Sequence, residues 1–228
     1  MTREEVVNKI RVILNDLQPF DEAEVVEGDN LPNKPVKEYI EQCLDDAVRD
    51  VQLVAPVRLI VADDYMLTNS NTNRYARGTK EYGVVQLPSD YLRLSAVKLS
   101  GWSKYVTVAE QQNSPAYELQ LHEGTMAGFI NPRVFEVCEG GDVPNLMELY
   151  PLGKFMYYNL GRKVVGNLKY ISGDKKLGGK HSVITEDLFS DELIEPVCYA
   201  CAVRVLIFFG KDTKGIASLY EQSLSKLR

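Results

Sequence analysis

The spacing of apolar residues changes twice along this chain, and this change limits the folds that it can adopt. Residues 2–17 and 36–56 carry apolar side chains three and four positions apart, which is the period of an amphipathic α-helix. From about residue 59 to residue 172, short runs of Val, Leu, Tyr and Ile alternate with Gly, Pro, Asn and Ser, which is typical of strands and turns. Helical spacing returns near residue 191. The pattern predicts two helices, a β-rich region and two more helices.

Local signals place the ends of these helices. Thr2 and Glu5 have the spacing of a capping box, in which each side chain binds the backbone of the other residue. Residues 191–210 are apolar nearly all round, which predicts a central helix. Pro196 must lie in the first turn of that helix or kink it, and Gly210 is suited to its C-terminal end. The last helix is expected at residues 214–226.

The β-rich region contains six runs that predict strands. A polar tract at residues 68–81 predicts a mobile loop, and the acidic stretch at residues 18–35 predicts a connection between the first two helices. The expected strands are 82–87, 91–99, 117–121, 133–138, 146–151 and 165–172.

The simplest arrangement of these elements is an α+β fold, in which a four-helix bundle carries a β-rich domain inserted between helices two and three. The bundle would contain residues 1–58 and 185–228, and residues 59–184 would form the β-rich insertion. With 228 residues, of which 45% are hydrophobic, the chain can bury a sizeable core.

The segment GDKKLGGKHS, from Gly173 onward, matches a phosphate-binding loop only in part. That loop requires Gly, four residues and then Gly-Lys-Ser/Thr. If the motif begins at Gly173, Gly179 stands where the lysine is needed. If it begins at Asp174, both the first glycine and the final Ser or Thr are missing. A flexible basic loop is the favoured interpretation, and we expect no cofactor.

Cys198 and Cys201 form a Cys-x-x-Cys pair within the apolar segment 191–210. A zinc site needs two further ligands, and a redox pair needs an exposed thiol where a strand leads into a helix. The sequence instead predicts two buried packing residues and no metal site.

Two pairs of adjacent acids, Asp45–Asp46 and Asp63–Asp64, are the other candidates for chemistry. Adjacent residues do not share one face of a helix, so a solvated surface is favoured over an acid/base site. The sequence has no Ser/His/Asp elbow, HExxH or GxGxxG motif.

Charge is distributed unevenly along the chain. The net charge is −6, and residues 1–50 contain thirteen acids and six bases. Residues 160–182 are basic, which suits either a solvated loop or a contact with an acidic neighbour or nucleic acid. No apolar run is long enough to cross a membrane, so we expect no membrane partner. The first residues carry acids where a signal peptide has its apolar segment, so we expect synthesis in a cytoplasm. The candidate contact residues are Arg162, Lys163, Lys175, Lys176 and Lys180.

The segment VVQLPSDYLRLSAVKLSGW reads as two strands joined at a Pro-Ser-Asp turn. Pro88 presets its own φ for a turn, and Asp90 can bind backbone donors locally. Strict alternation from Tyr91 would give both faces of the second strand apolar residues, which predicts a strand covered on both sides.

The order of ILNDL, YIEQCLDDAVRDVQLVAP, this strand-turn-strand and ELIEPVCYACAVRVLIFF resembles one family over most of the chain. The family is that of head-to-tail adaptor, or neck ring, proteins of short-tailed bacteriophages, including the tail tubular protein A group and the ring proteins of crAss-like phages. In that family a strand-turn-strand of the form Leu-Pro-x-Asp-aromatic-x-Arg/Leu introduces the β part. The matching residues here are Leu87, Pro88, Asp90, Tyr91 and Leu94.

The resemblance implies a structural virion protein without catalytic activity. Such adaptors form a ring, usually a dodecamer, that binds the portal protein, supports other neck and tail rings, and lets genomic DNA pass without sequence-specific binding. It implies assembly in the host cytoplasm and a place at the head-tail neck. Two alternatives remain open: a nucleic-acid-binding module that uses the basic segment 162–180, and an enzyme with an unrecognised site.

Overall fold

The computed structural model describes residues 1–17, 36–68, 70–77, 80–121, 132–139, 144–151, 164–173 and 188–227. Within these ranges there are five α-helices and eight β-strands. In chain order they are α1 (Arg3–Leu17), α2 (Val36–Val54), β1 (Asp63–Thr68), β2 (Thr72–Arg77), β3 (Lys80–Gln86), β4 (Tyr91–Leu99), β5 (Glu110–Gln111), α3 (Pro115–Leu121), β6 (Arg133–Val137), β7 (Leu146–Tyr150), β8 (Val164–Ser172), α4 (Ile194–Phe208) and α5 (Lys214–Ser225).

Contacts between Cα atoms divide the chain into two compact units. The helical unit contains Met1–Val61 and Lys175–Arg228, and the β unit contains Ala62–Asp174. In the helical unit, α4 is the central element and packs against α1, α2 and α5. Its burial follows from its composition, because a helix that is apolar nearly all round is stable only when neighbours cover most of its surface.

The ends of the helices follow the local signals in the sequence. Thr2 N–H donates to Glu5 Oε2 at 2.8 Å and Glu5 N–H donates to Thr2 Oγ1 at 3.3 Å, which confirms the capping box. Pro196 lies in the first turn of α4, where its missing N–H costs little. After α4, Gly210 has a φ of 65°. The Gly210 N–H donates to the Ile207 carbonyl at 3.0 Å, closing the helix.

The β unit contains two sheets. A three-stranded antiparallel sheet has the order β1-β8-β4, and a five-stranded sheet has the order β2-β3-β7-β6-β5. In the larger sheet all pairs are antiparallel except β5 with β6, which is parallel.

One hydrophobic core is shared by both sheets. Leu94 and Leu168 of the smaller sheet cluster with Val85, Val134 and Leu149 of the larger sheet. The opposite face of the larger sheet holds a second cluster, which includes Tyr117 of α3. The β unit is thus layered as small sheet, large sheet and helix. The cluster between the large sheet and α3 consists of Tyr82, Tyr117, Phe135 and Tyr150.

The predicted four-helix bundle with one inserted β domain is wrong, although the class α+β is roughly consistent with the structure. The described residues contain five helices, and one of them, α3, lies in the β unit. The strands form two sheets around their own core. In the helical unit the contacts centre on α4, whereas a regular bundle would distribute them among four amphipathic helices.

Two local predictions also fail, and two further strands were not predicted. Residues 117–121 belong to helix α3, where Ser114 Oγ accepts the N–H of Tyr117 and caps the first turn. The polar tract 68–81 contains strand β2 and the start of β3, because pairing with the neighbouring strand stabilises residues of modest β-propensity. Strands β1 and β5 are the further elements that were not predicted.

The second strand of the strand-turn-strand element does not alternate strictly. Tyr91, Leu94, Val97 and Leu99 of β4 are buried, and the residues between them are half-buried. The register with β8 shifts between Tyr91 and Arg93 and again between Leu94 and Ala96. Each shift inserts an extra residue into the strand, which rotates the following side chains and replaces the period of two with a longer one.

Candidate functional site

The five residues that carry the family resemblance lie in the turn that leads into β4 and in the first half of that strand. The Tyr91 N–H donates to the Pro88 carbonyl at 3.0 Å, which closes the turn before β4. Leu87, Tyr91 and Leu94 are each only 5% exposed and belong to the shared core. The motif therefore combines a closed turn with three buried anchors.

Asp90 connects this turn to the end of strand β8. Its carboxylate accepts the Tyr170 hydroxyl at 3.1 Å and the Ser172 hydroxyl at 2.6 Å. Its backbone carbonyl accepts the Gly173 N–H at 2.7 Å. Burial, reinforced by the hydrogen bond to Asp90, raises the pKa of Tyr170 to about 12. Tyr170 therefore stays protonated and donates to the carboxylate throughout the neutral pH range.

Tyr91 connects the two sheets of the β unit. Its ring stacks on Tyr170 with the centroids 6.0 Å apart, and its hydroxyl donates to Glu136 of β6. Burial raises the pKa of the Glu136 carboxyl, although hydrogen bonds from Tyr91 and from the Leu94 backbone act in the opposite direction. The strand-turn-strand element is thus tied by hydrogen bonds to both sheets.

The cysteine pair occupies the interior of α4. Cys198 and Cys201 are both fully buried. Burial raises the pKa of Cys198 to about 12 and holds that of Cys201 well above its ordinary value. Protonated, inaccessible thiols neither attack substrates nor bind metals readily, so their geometry is that of packing residues.

Asp45, Asp46 and Asp64 form ion pairs. Asp45 lies 3.1 Å from Arg3 of α1, whereas its neighbour Asp46 lies 3.5 Å from Arg204 of α4. The two carboxylates are thus directed to different helices, as expected for adjacent residues. Asp64 accepts a hydrogen bond from Asn167 at 2.9 Å and lies 3.7 Å from Lys169.

The five basic residues predicted to contact a partner lie outside the described residues. They are Arg162, Lys163, Lys175, Lys176 and Lys180.

A surface groove in the helical unit was not predicted from the sequence. It has a volume of about 460 Å³ and lies between α2, α4 and α5. Ile207 and Phe208 line it and are 63% and 42% exposed. The signal was present in the sequence, because a helix that is apolar all round exposes apolar side chains wherever its neighbours do not reach. The lining residues are Cys43, Asp50, Ala200, Val203, Arg204, Ile207, Phe208 and Tyr220.

A buried carboxylate was also not predicted from the sequence. Glu148 of β7 is 7% exposed and accepts hydrogen bonds from the hydroxyls of Tyr150 at 2.8 Å and Tyr117 at 3.3 Å. Those bonds offset part of the cost of burying a carboxylate, and they hold α3 against the large sheet.

Among the described residues, no group of three or more His, Cys, Asp and Glu side chains is placed to hold a metal ion. In the same part of the chain, none of the helices combines the length and apolarity needed to span a membrane. Comparison of the sequence with protein-family models and with curated proteins found no match.

Proposed function

We propose that this chain is a head-to-tail adaptor of a short-tailed bacteriophage. In this role it forms a ring at the neck of the virion, joins the portal protein to other neck and tail rings, and extends the channel through which genomic DNA passes. The ring assembles in the cytoplasm of the bacterial host. The role needs no catalysis and no cofactor.

The observation that carries this proposal is the construction of the strand-turn-strand element. Leu87, Tyr91 and Leu94 are core residues, Pro88 closes the turn, and Asp90 binds the end of β8. Residues that a family shares for structural reasons are expected to have such roles. The resemblance therefore rests on positions that matter to the fold, and surface residues of arbitrary identity play no part in it.

Mass spectrometry of purified virions tests the proposal. If the chain is an adaptor, it is present in virions of the phage whose genome encodes it, in a constant ratio to the portal protein. It should also stay with the heads when tails are detached. A chain that is made in infected cells but is missing from virions would contradict the proposal.

A further inference from the structure

We infer that the groove of the helical unit binds the outer face of helix α1 from a second copy of this chain, so that neighbouring subunits are joined by contacts between Val12 and Ile207 and between Lys9 and Asp46. This inference rests on the proposed function, because a ring requires a contact between unlike surfaces of adjacent copies.

The groove presents an apolar floor. Ala200, Val203 and Ile207 follow each other at helical spacing along one face of α4. Phe208 is held at one end by Tyr39, with the ring centroids 4.6 Å apart. A floor of this kind accepts an aliphatic side chain, because apolar surface on both partners is removed from water.

Asp50 and Arg204 line the groove, and Asp46 lies beside them on the same face of α2. Arg204 donates to Asp50 Oδ2 from Nε at 2.8 Å and from Nη2 at 2.6 Å, and its Nη1 lies 3.5 Å from Asp46. Two carboxylates therefore share one guanidinium. The Asp46 side chain is 68% exposed, and it lies farther from Arg204 than Asp50 does. Asp46 can therefore bind a second cation.

The outer face of α1 has the complementary pair of side chains. Val12 is 57% exposed and Lys9, three positions earlier, is also exposed. Residues three apart are neighbours on a helix, so an aliphatic group and an ammonium lie side by side. An aliphatic group could cover the apolar floor while the ammonium reaches Asp46, and none of the described side chains of α1 lines the groove of its own subunit. The contact joins unlike surfaces, so it can repeat from copy to copy around a ring.

Cross-linking between two proteins that each carry one exposed cysteine tests the inference. The starting protein is Cys43→Ser with Cys138→Ser, which leaves only the buried Cys198 and Cys201. One derivative carries Val12→Cys and the other Ile207→Cys, both at exposed positions. A short bismaleimide should give cross-linked dimer in the mixture and only background in either protein alone. A third derivative, Val108→Cys, is the matched control, because Val108 is 68% exposed but lies in the β unit.

A charge exchange tests the ionic part of the contact. Lys9→Glu in the Val12→Cys protein, or Asp46→Lys in the Ile207→Cys protein, should each lower the cross-linking yield several-fold. Combining the two reversed proteins should restore it, because the pair is then opposite in charge again. Asp50 still holds Arg204 when Asp46 is replaced, so the fold should tolerate the change.

The inference would be overturned if Val12→Cys with Ile207→Cys gave no more dimer than the Val108→Cys control, or if the reversed pair failed to restore the yield. Binding of the starting protein to portal rings is measured in parallel. Portal binding without the cross-link would refute the subunit contact alone, and the cross-link without portal binding would refute the proposed function alone.

Discussion

Asp90 is the residue on which the strand-turn-strand element most depends. It accepts hydrogen bonds from Tyr170 and Ser172, and both partners are buried. Asp90→Ala would leave two buried hydroxyls without their acceptor, so we expect the free energy of unfolding of the β unit to fall by about 1–3 kcal/mol. Denaturant unfolding measures the loss. Asp90→Asn is the matched control, since it keeps one acceptor oxygen and should retain part of the stability. Equal stability of the alanine variant and the wild type would contradict this role.

Glu136 makes stability depend on pH in a defined direction. Burial raises its pKa in the folded state, so the folded protein favours the protonated carboxyl. Its stabilising contribution is present below the pKa of the unfolded chain, at about 4.3, and is lost as the pH rises through the folded pKa. Glu136→Gln cannot ionise, and its amide oxygen can still accept from Tyr91.

We therefore expect the Glu136→Gln variant to gain stability relative to the wild type, measured as the free energy of unfolding, as the pH rises from below 4 to 7. Denaturant unfolding across this pH range, with Tyr91→Phe as the control that removes only the hydroxyl, measures it. A difference that stays constant with pH, or moves toward the wild type, would show that the carboxyl is not desolvated in this way.

Sequence reasoning succeeded at the residue scale where a local rule decides the outcome. The capping box of Thr2 and Glu5 and the terminating Gly210 depend only on neighbours in the chain. Glu136 and Glu148 could not be predicted, because their partners come from other elements and only the fold brings them together.

Strand β8 shows at the element scale how closely the small sheet is packed. A Cβ atom added to Gly166 would lie 2.5 Å from the Lys98 carbonyl oxygen and 2.9 Å from Leu99 Cδ2. Gly166→Ala must therefore shift the β4 backbone, and we expect the free energy of unfolding to fall by about 1–3 kcal/mol. Gly215→Ala in α5 is the control, since nothing lies within 4 Å of its added Cβ and alanine favours a helix by up to about 1 kcal/mol. Thermal unfolding of the two variants should move in opposite directions, and a Gly166→Ala protein as stable as the wild type would contradict the close approach.

Periodicity identified long helices better than it identified strands. Helices α1, α2 and α5 were predicted from apolar residues three and four positions apart, and α4 was predicted from a long segment that is apolar nearly all round. The short α3 was mistaken for a strand because PAYELQL is too brief to show a helical period. The bulges of β4 were missed because they depend on the register with β8, which no local pattern encodes.

At the scale of the whole molecule, we expect the isolated protein to be mainly monomeric. A ring would bring together many subunits with a net charge of −6, and their repulsion opposes association at low salt. Free copies would meet through the groove and α1 only transiently, which a cross-linker can trap, whereas a stable ring would need the portal to hold neighbours in place. Light scattering after gel filtration, at low and moderate salt, measures the mass. A stable dodecamer at micromolar concentration without portal would contradict templated assembly.

Electron microscopy of portal rings mixed with the purified protein tests whether this chain is an adaptor. An adaptor should add a ring of density to one end of the portal, in register with the portal subunits. The Asp90→Ala variant, with its strand-turn-strand element weakened, should add less density than the Asp90→Asn control. Portal rings that remain unchanged at saturating protein, while the protein itself is folded, would contradict the adaptor assignment.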